Sequence, residues 1–168
     1  MTKVCAFFLA LMTVSSLAFA QDAMKKGDKS WIDLEKTLED VNNQWVCAYK
    51  YHKNNGQDCV DFKSQFWPDK FFEISRQGEV TDKNEMVKRQ TARATAHPVT
   101  PEGTGPQPQQ FTLRAVYGNV ALATDHTVWK APDASGKIVV TDEATVLRMF
   151  VNLDGRWRPA GAALVPVK

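Results

Sequence analysis

Four positions in this chain combine a reactive side chain with a setting that would tune it: Glu73, Asp125, His126 and Arg148. Glu73 sits in Phe71–Ser75, whose aromatic and β-branched content predicts a strand. Alternation puts Glu73 on one face with Phe71 and Ser75, opposite Phe72 and Ile74. In an apolar pocket its carboxyl would have a raised pKa and could serve as acid or base; at an exposed strand end it is a solvated glutamate. Asp125 and His126 are adjacent, which suggests a dyad, yet neighbouring strand residues point to opposite faces and cannot pair directly. His126 shares a face with Leu122, Thr124 and Val128, so it either lines a pocket or is a hydrogen-bonded histidine near the core. Arg148 interrupts the apolar run Val146-Leu147 and Met149-Phe150. Its guanidinium fork suits a ligand carboxylate, or it pairs on an outer sheet face with Glu143 or another cross-strand carboxylate. Trp45, Tyr49, Phe71 and Trp129 can line a pocket for an apolar ligand, the alternative for each being ordinary core.

Other chemistries lack their residues. No serine or cysteine nucleophile has a recognisable base, and no Gly-rich phosphate loop precedes a helix, so no cofactor is expected. The histidines, His52, His97 and His126, are scattered and keep no ligand spacing with a cysteine, so no metal site is expected. A net charge of +2, with both signs mixed along the chain, is no footprint for nucleic acid.

The first twenty residues read as a cleaved secretory signal. Lys3 precedes an almost wholly apolar or small run from Val4 to Phe19, and Ala18-Phe19-Ala20 has the small-x-small cleavage pattern before Gln21-Asp22. Cys5 lies far upstream of that point, which argues against a lipoprotein anchor, and no later segment is apolar enough to span a membrane. The expected destination is periplasmic or extracellular. The remaining cysteines, Cys47 and Cys59, suggest a disulfide closing a short loop, or else two buried thiols.

The 168 residues suit one domain with a real core. Gln21–Lys29 is polar and expected to be disordered. Ser30 is a candidate N-cap for a helix over about Trp31 to His52, where Leu34, Leu38, Val41, Trp45 and Ala48 recur at three-to-four spacing. Asn54-Asn55-Gly56 ends it. A second helix is expected over Gln57–Phe66, then the Phe71–Ser75 strand, a turn at Arg76–Glu79, and a third helix capped by Thr81 or Asp82. Pro98–Gln110, with its four prolines, reads as an exposed loop unable to form a helix or a central strand. Three β-branched runs follow as an antiparallel meander: Phe111–Tyr117 into Val120–Trp129, Ile138–Leu153 and Trp157–Val167. Turn signals at Gly118-Asn119, Pro132–Gly136 and Asp154-Gly155 separate them.

That order resembles a known superfamily. The stretch Phe71–Lys83 looks like the strand, Gly turn and helix cap of nuclear transport factor 2-like proteins. Val116–Thr124 is similar to their central hairpin, and Leu153–Arg158 to the turn before their last strand. The nearest branch is the SnoaL-like group of exported bacterial proteins of unknown function. The resemblance covers roughly Trp31 to Val165. It implies an α+β cone in which a curved antiparallel sheet packs against three N-terminal helices around a pocket, and homodimerisation through the outer sheet face.

Ketosteroid isomerase, a member of this superfamily, gives a test of catalysis. Tyr49 stands where its helix-one tyrosine would be, seven residues before Gly56. Glu73 is near the position of its base, and Val146–Phe150, where its third group falls, holds no acid. The resemblance therefore implies a binder of a small apolar or carbonyl-containing ligand. Alternatives are an isomerase or dehydratase using Glu73 or His126 with Tyr49, and a protein-interaction module. A pocket of Trp45, Tyr49, Phe71, Glu73, His126 and Arg148 is the expected site.

Overall fold

The computed structural model describes residues 24–46, 56–96 and 101–166. The expected signal peptide, Cys47, Tyr49 and the predicted end of the first helix lie outside the described residues. No described helix is long and apolar enough to cross a membrane.

Helix α1 (Lys29–Trp45) is capped at Asp28, not Ser30. Its buried residues, Trp31, Leu38, Asn42 and Trp45, recur at helical spacing, so one stripe faces the core and one member of that stripe is polar. Residues 24–28, expected to be disordered, form a turn, and Met24 packs against the core. Helix α2 (Gly56–Phe66) and strand β1 (Phe72–Ile74) follow, then a short strand β2 (Val80–Asp82) where only a helix cap was expected. The turn into β2 closes on Ser75, whose amide donates to the Glu79 carbonyl at 2.9 Å while its hydroxyl accepts from the Glu79 amide at 3.2 Å. Gly78, at φ 84, supplies the left-handed residue that this turn needs. Asp82 does cap helix α3 (Lys83–Ala96), its Oδ1 accepting from the Glu85 amide at 2.9 Å. The Glu85 side chain turns instead to Arg89, so only half of a capping box forms.

Strands β3 (Gly105–Tyr117), β4 (Val120–Pro132), β5 (Ile138–Leu153) and β6 (Arg156–Pro166) make the meander. The sheet order is β2-β1-β6-β5-β4-β3. Two expectations need correction. The exposed proline loop is strand from Gly105 onward, and Pro106 and Pro108 pair in register with Trp129 and Thr127. Proline is tolerated because β3 is an edge strand, where one side of the backbone needs no ladder partner. The sheet is also not wholly antiparallel: β1 runs parallel to β6, since the helices carry the chain to the far edge before the meander begins. Register shifts in the β3–β4, β4–β5 and β5–β6 ladders bend the strands and curl the sheet.

Alternation then sorts the strands into two faces. The concave face carries Leu113, Ala121, Ala123, Ala144, Val146, Phe150 and Ala162, all buried with Trp31, Leu38 and Trp45 of α1. Its alanines leave room for the helix-borne indoles. Also on this face, and just as buried, are Asp125, Thr127 and Arg148.

Candidate functional site

The buried polar residues form one network beneath α1. The Asp125 side chain is completely enclosed and accepts from Arg148 Nε at 2.6 Å, from Asn42 Nδ2 at 3.2 Å and from the Thr127 hydroxyl. Arg148 Nη2 reaches Thr127 Oγ1 at 3.2 Å, and its Nη1 makes no hydrogen bond among the described residues. Asn42 must present its amide nitrogen to the carboxylate, which leaves Asn42 Oδ1 buried without a donor among the described residues.

Aromatic rings wall this network. Trp45 stands edge-on to Trp67, Phe71 and Phe150, with centroid separations of 6.4, 5.5 and 6.1 Å. Trp67 stacks on Phe71 at 4.0 Å. Each indole carries a cation: Arg148 lies 4.7 Å from the Trp45 ring and Lys63 lies 5.3 Å from the Trp67 ring. The Trp67 indole N–H is buried with no acceptor among the described residues.

Lys63 comes from α2, where Cys59 and Lys63 lie one turn apart on the buried side and Trp67, just past the helix end, continues the same spacing. Its ammonium donates to Gln90 Oε1 of α3 at 3.0 Å. Burial pushes its pKa down to about 8, against the attraction of Glu73 and with the repulsion of Arg148 and Arg93. Glu73 faces the same interior. In the parallel β1–β6 ladder it pairs with Ala162, whose other neighbour is Arg148, so the glutamate and the arginine flank a small residue on one row. Two strand spacings separate their backbones, roughly 10 Å. Glu73 has no hydrogen bond or ion pair with the described residues. Burial raises its pKa, and this outweighs the opposing pull of Arg148, Lys63 and Arg89.

The structure thus brings together Trp45, Phe71, Glu73 and Arg148 of the residues expected from sequence. It does not bring in His126, which points to the convex face and meets Glu143 at 3.4 Å, because it follows the inward Asp125 by one residue. Of the two readings open for Arg148, the outer pairing with Glu143 is replaced by an inner pairing with Asp125. Trp129 packs at the margin, 5.9 Å from the Arg76 guanidinium. Tyr49 and Cys47 lie outside the described residues, and Cys59 is buried on α2. Asn42, Lys63 and Trp67 were missed as site residues, and Asp125 was weighed only as a partner for His126 and left out of the expected pocket. The signal was present for three of them: Asn42 lies four residues from Leu38, Lys63 four from Cys59, and Asp125 two from Ala123, each a polar residue on an apolar periodicity.

On the convex face, Leu147 and Leu153 are exposed, and a groove of about 440 Å³ is lined by Val120, Met149, Val151 and Phe72, with Lys70 at its edge. Among the described residues no group of three or more His, Cys, Asp or Glu side chains is placed to hold a metal.

No family model and no curated protein matches the chain. Solved structures do. Aln2 from a Streptomyces species superposes with a TM-score of 0.61 at 14% identity, covering 80% of this chain and 91% of Aln2. The association domain of CaMKII from C. elegans gives 0.62 at 9% identity, covering 82% and 99%. An NTF2-like protein of unknown function from Prochlorococcus marinus gives 0.55 at 12% identity, covering 80% and 93%. At these identities the likeness carries architecture, and with the helix order and curled sheet described above it shows that the chain has the nuclear transport factor 2-like fold.

Proposed function

We propose that this protein is an exported small-ligand-binding domain whose site is the polar, indole-walled interior between α1, α2 and the concave sheet face. The observation that carries the reading is the set of buried polar groups left without partners there. Among the described residues Asn42 Oδ1 and Trp67 Nε1 are enclosed and unsatisfied, and Glu73 is held off its ordinary pKa without a hydrogen bond. Buried groups of this kind cost on the order of 1–3 kcal/mol each, so a fold that keeps them gains when a ligand satisfies them. Trp45 and Trp67 are built-in reporters. Titration of the mature protein with a panel of small aromatic ketones, acids and amides should quench or shift indole fluorescence saturably for at least one class. A flat response across the panel would sink the reading.

A second reading is favoured by Glu73 itself. A carboxyl whose protonated form is favoured by burial can transfer a proton to or from a carbonyl substrate. Isomerase or dehydratase turnover that disappears in Glu73→Gln, while the variant still binds ligand, would establish it; equal turnover in the variant would end it. Export and oligomeric state belong to the same proposal. Gln21 should be the N-terminus of the mature protein, and Cys47 and Cys59 should appear as one bridged peptide under non-reducing mass spectrometry. The exposed apolar convex face suits a homodimer.

A further inference from the structure

The groove on the convex face has a shape and a charge of its own. On one row of that face Phe72 of β1, Gly161 of β6 and Met149 of β5 stand side by side. Gly161 has no side chain, and a Cβ there would lie 3.1 Å from the Phe72 ring, so the ring reaches over β6. The preceding residue, Ala160, is also small and lines the groove. Strand β6 is thus the floor of a trough, with Phe72 along one side and Met149, Val151 and Leu153 along the other. Its volume of about 440 Å³ falls within the range of small-molecule sites. The backbones of β1 and β5 stand two strand spacings apart, roughly 10 Å, so between their side chains the trough admits one extended chain. One end of it is basic. Lys70 lines that end, and β6 begins there, with Arg156 paired across from Leu153 and Arg158 across from Val151. Among the described residues none of these three cations makes a hydrogen bond or an ion pair, and Arg158 Nε is buried without an acceptor. Against them stand Asp154 of the β5–β6 turn and Asp69, which is already engaged with Lys83 at 3.2 Å. An apolar trough one chain wide, ending in an excess of positive charge, is the complement of an aliphatic tail with an anionic head.

We propose that this trough binds a straight-chain fatty acid, its tail along Phe72, Met149 and Val151 and its carboxylate facing Lys70, Arg156 and Arg158. The trough lies across the sheet from the interior, so its occupancy holds or fails independently of the interior site. The test is calorimetric titration of the mature protein with hexanoate, octanoate and decanoate, and with decyltrimethylammonium, which carries the longest tail under the opposite charge. Each added methylene should tighten carboxylate binding by up to about fourfold. At low salt decanoate should bind at least about tenfold tighter than decyltrimethylammonium, a preference that high salt reduces. Lys70 and Arg156 are exposed, and the double variant Lys70→Glu/Arg156→Glu should reverse that preference. In protein labelled at its methionine methyl groups, decanoate should move the Met149 resonance and leave the Trp45 and Trp67 indole resonances still. Decanoate that does not bind overturns the proposal. So does an affinity indifferent to tail length or to the charge reversal, or indole shifts without a Met149 shift. The competing occupant is a second copy of the chain. Absence of decanoate binding, together with a Met149→Glu variant that sediments as monomer where the wild type is a dimer, would assign the trough to that copy instead. Leu153→Glu, at the exposed end of the trough, makes the same test if Met149→Glu does not fold.

Discussion

Replacing Lys63 by methionine should make this protein more stable near neutral pH and less stable in alkali. Met keeps an unbranched stem against Trp67 and removes the charge. A lysine whose pKa falls from 10.5 to about 8 on folding carries its proton in the native state at a cost of about 3 kcal/mol. Against this stands the hydrogen bond to Gln90, worth about 1 kcal/mol net. Loss of the ammonium also drives the Glu73 pKa further up, which returns part of the gain once that carboxyl must ionise. The expected net change at pH 6.5 is a stabilisation of about 1–2 kcal/mol.

The sign reverses with pH. Between about 8 and 10.5 the unfolded chain holds a proton on Lys63 that the native state has released, so wild-type stability rises with pH through this window, by up to about 1.4 kcal/mol per unit. The variant has no such contribution. Its advantage should shrink from pH 8 upward and become a deficit of about 1 kcal/mol by pH 10.5, where only the lost hydrogen bond remains. Urea unfolding followed by tryptophan emission at intervals from pH 6.5 to 10.5 measures both curves, and an unchanged m-value confirms that the comparison is of stability alone. Other lysines titrate equally in both proteins and cancel. Parallel curves, or a variant less stable at pH 6.5, would refute the account of Lys63 as a desolvated cation.

Three further outcomes follow from the packing. Asp125→Asn should cost about 3–5 kcal/mol by leaving Arg148 buried without its counter-charge, and the double variant Asp125→Leu/Arg148→Met should recover most of that in thermal unfolding. Gly161→Ala should lose about 1–3 kcal/mol in the same assay, since its Cβ would lie 3.1 Å from the backbone oxygen and the ring of Phe72, and the parallel β1–β6 pairing would have to open to admit it. Leu147→Arg should shift sedimentation velocity from dimer to monomer with unchanged circular dichroism if two convex faces meet, and a wild-type protein that stays monomeric at high concentration would remove the dimer.

The elements were legible in the sequence because each is a local matter. Helical spacing in α1, the Asp82 cap of α3, and the Gly118 and Asp154-Gly155 turns depend on residues a few positions apart, and the structure places Gly118 and Asp154 at φ values of 59 and 53 as such hairpin turns require. The order of those elements sufficed for the fold. Glu73 and Arg148 could be named as candidates because each is a charge set in an apolar run, and Trp45 and Phe71 because they are aromatic residues on the faces expected to turn inward.

What required the tertiary structure was direction and company. Whether the odd or even residues of β4 face the helices is a single binary choice that no residue within the strand settles, and it sends Asp125 inward and His126 out. The strand of the proline segment depends on its lying at an edge, which is a property of the sheet order. Lys63 and Glu73 come from different elements and face the same Arg148 only because β1 inserts parallel to β6. Amino-acid sequence alone determined which groups could titrate and which segments would fold. The burial that moves their pKa values, and the charges that oppose it, exist only once α2, β1 and β5 close around one interior, because desolvation and Coulomb energy depend on distance in space and not along the chain.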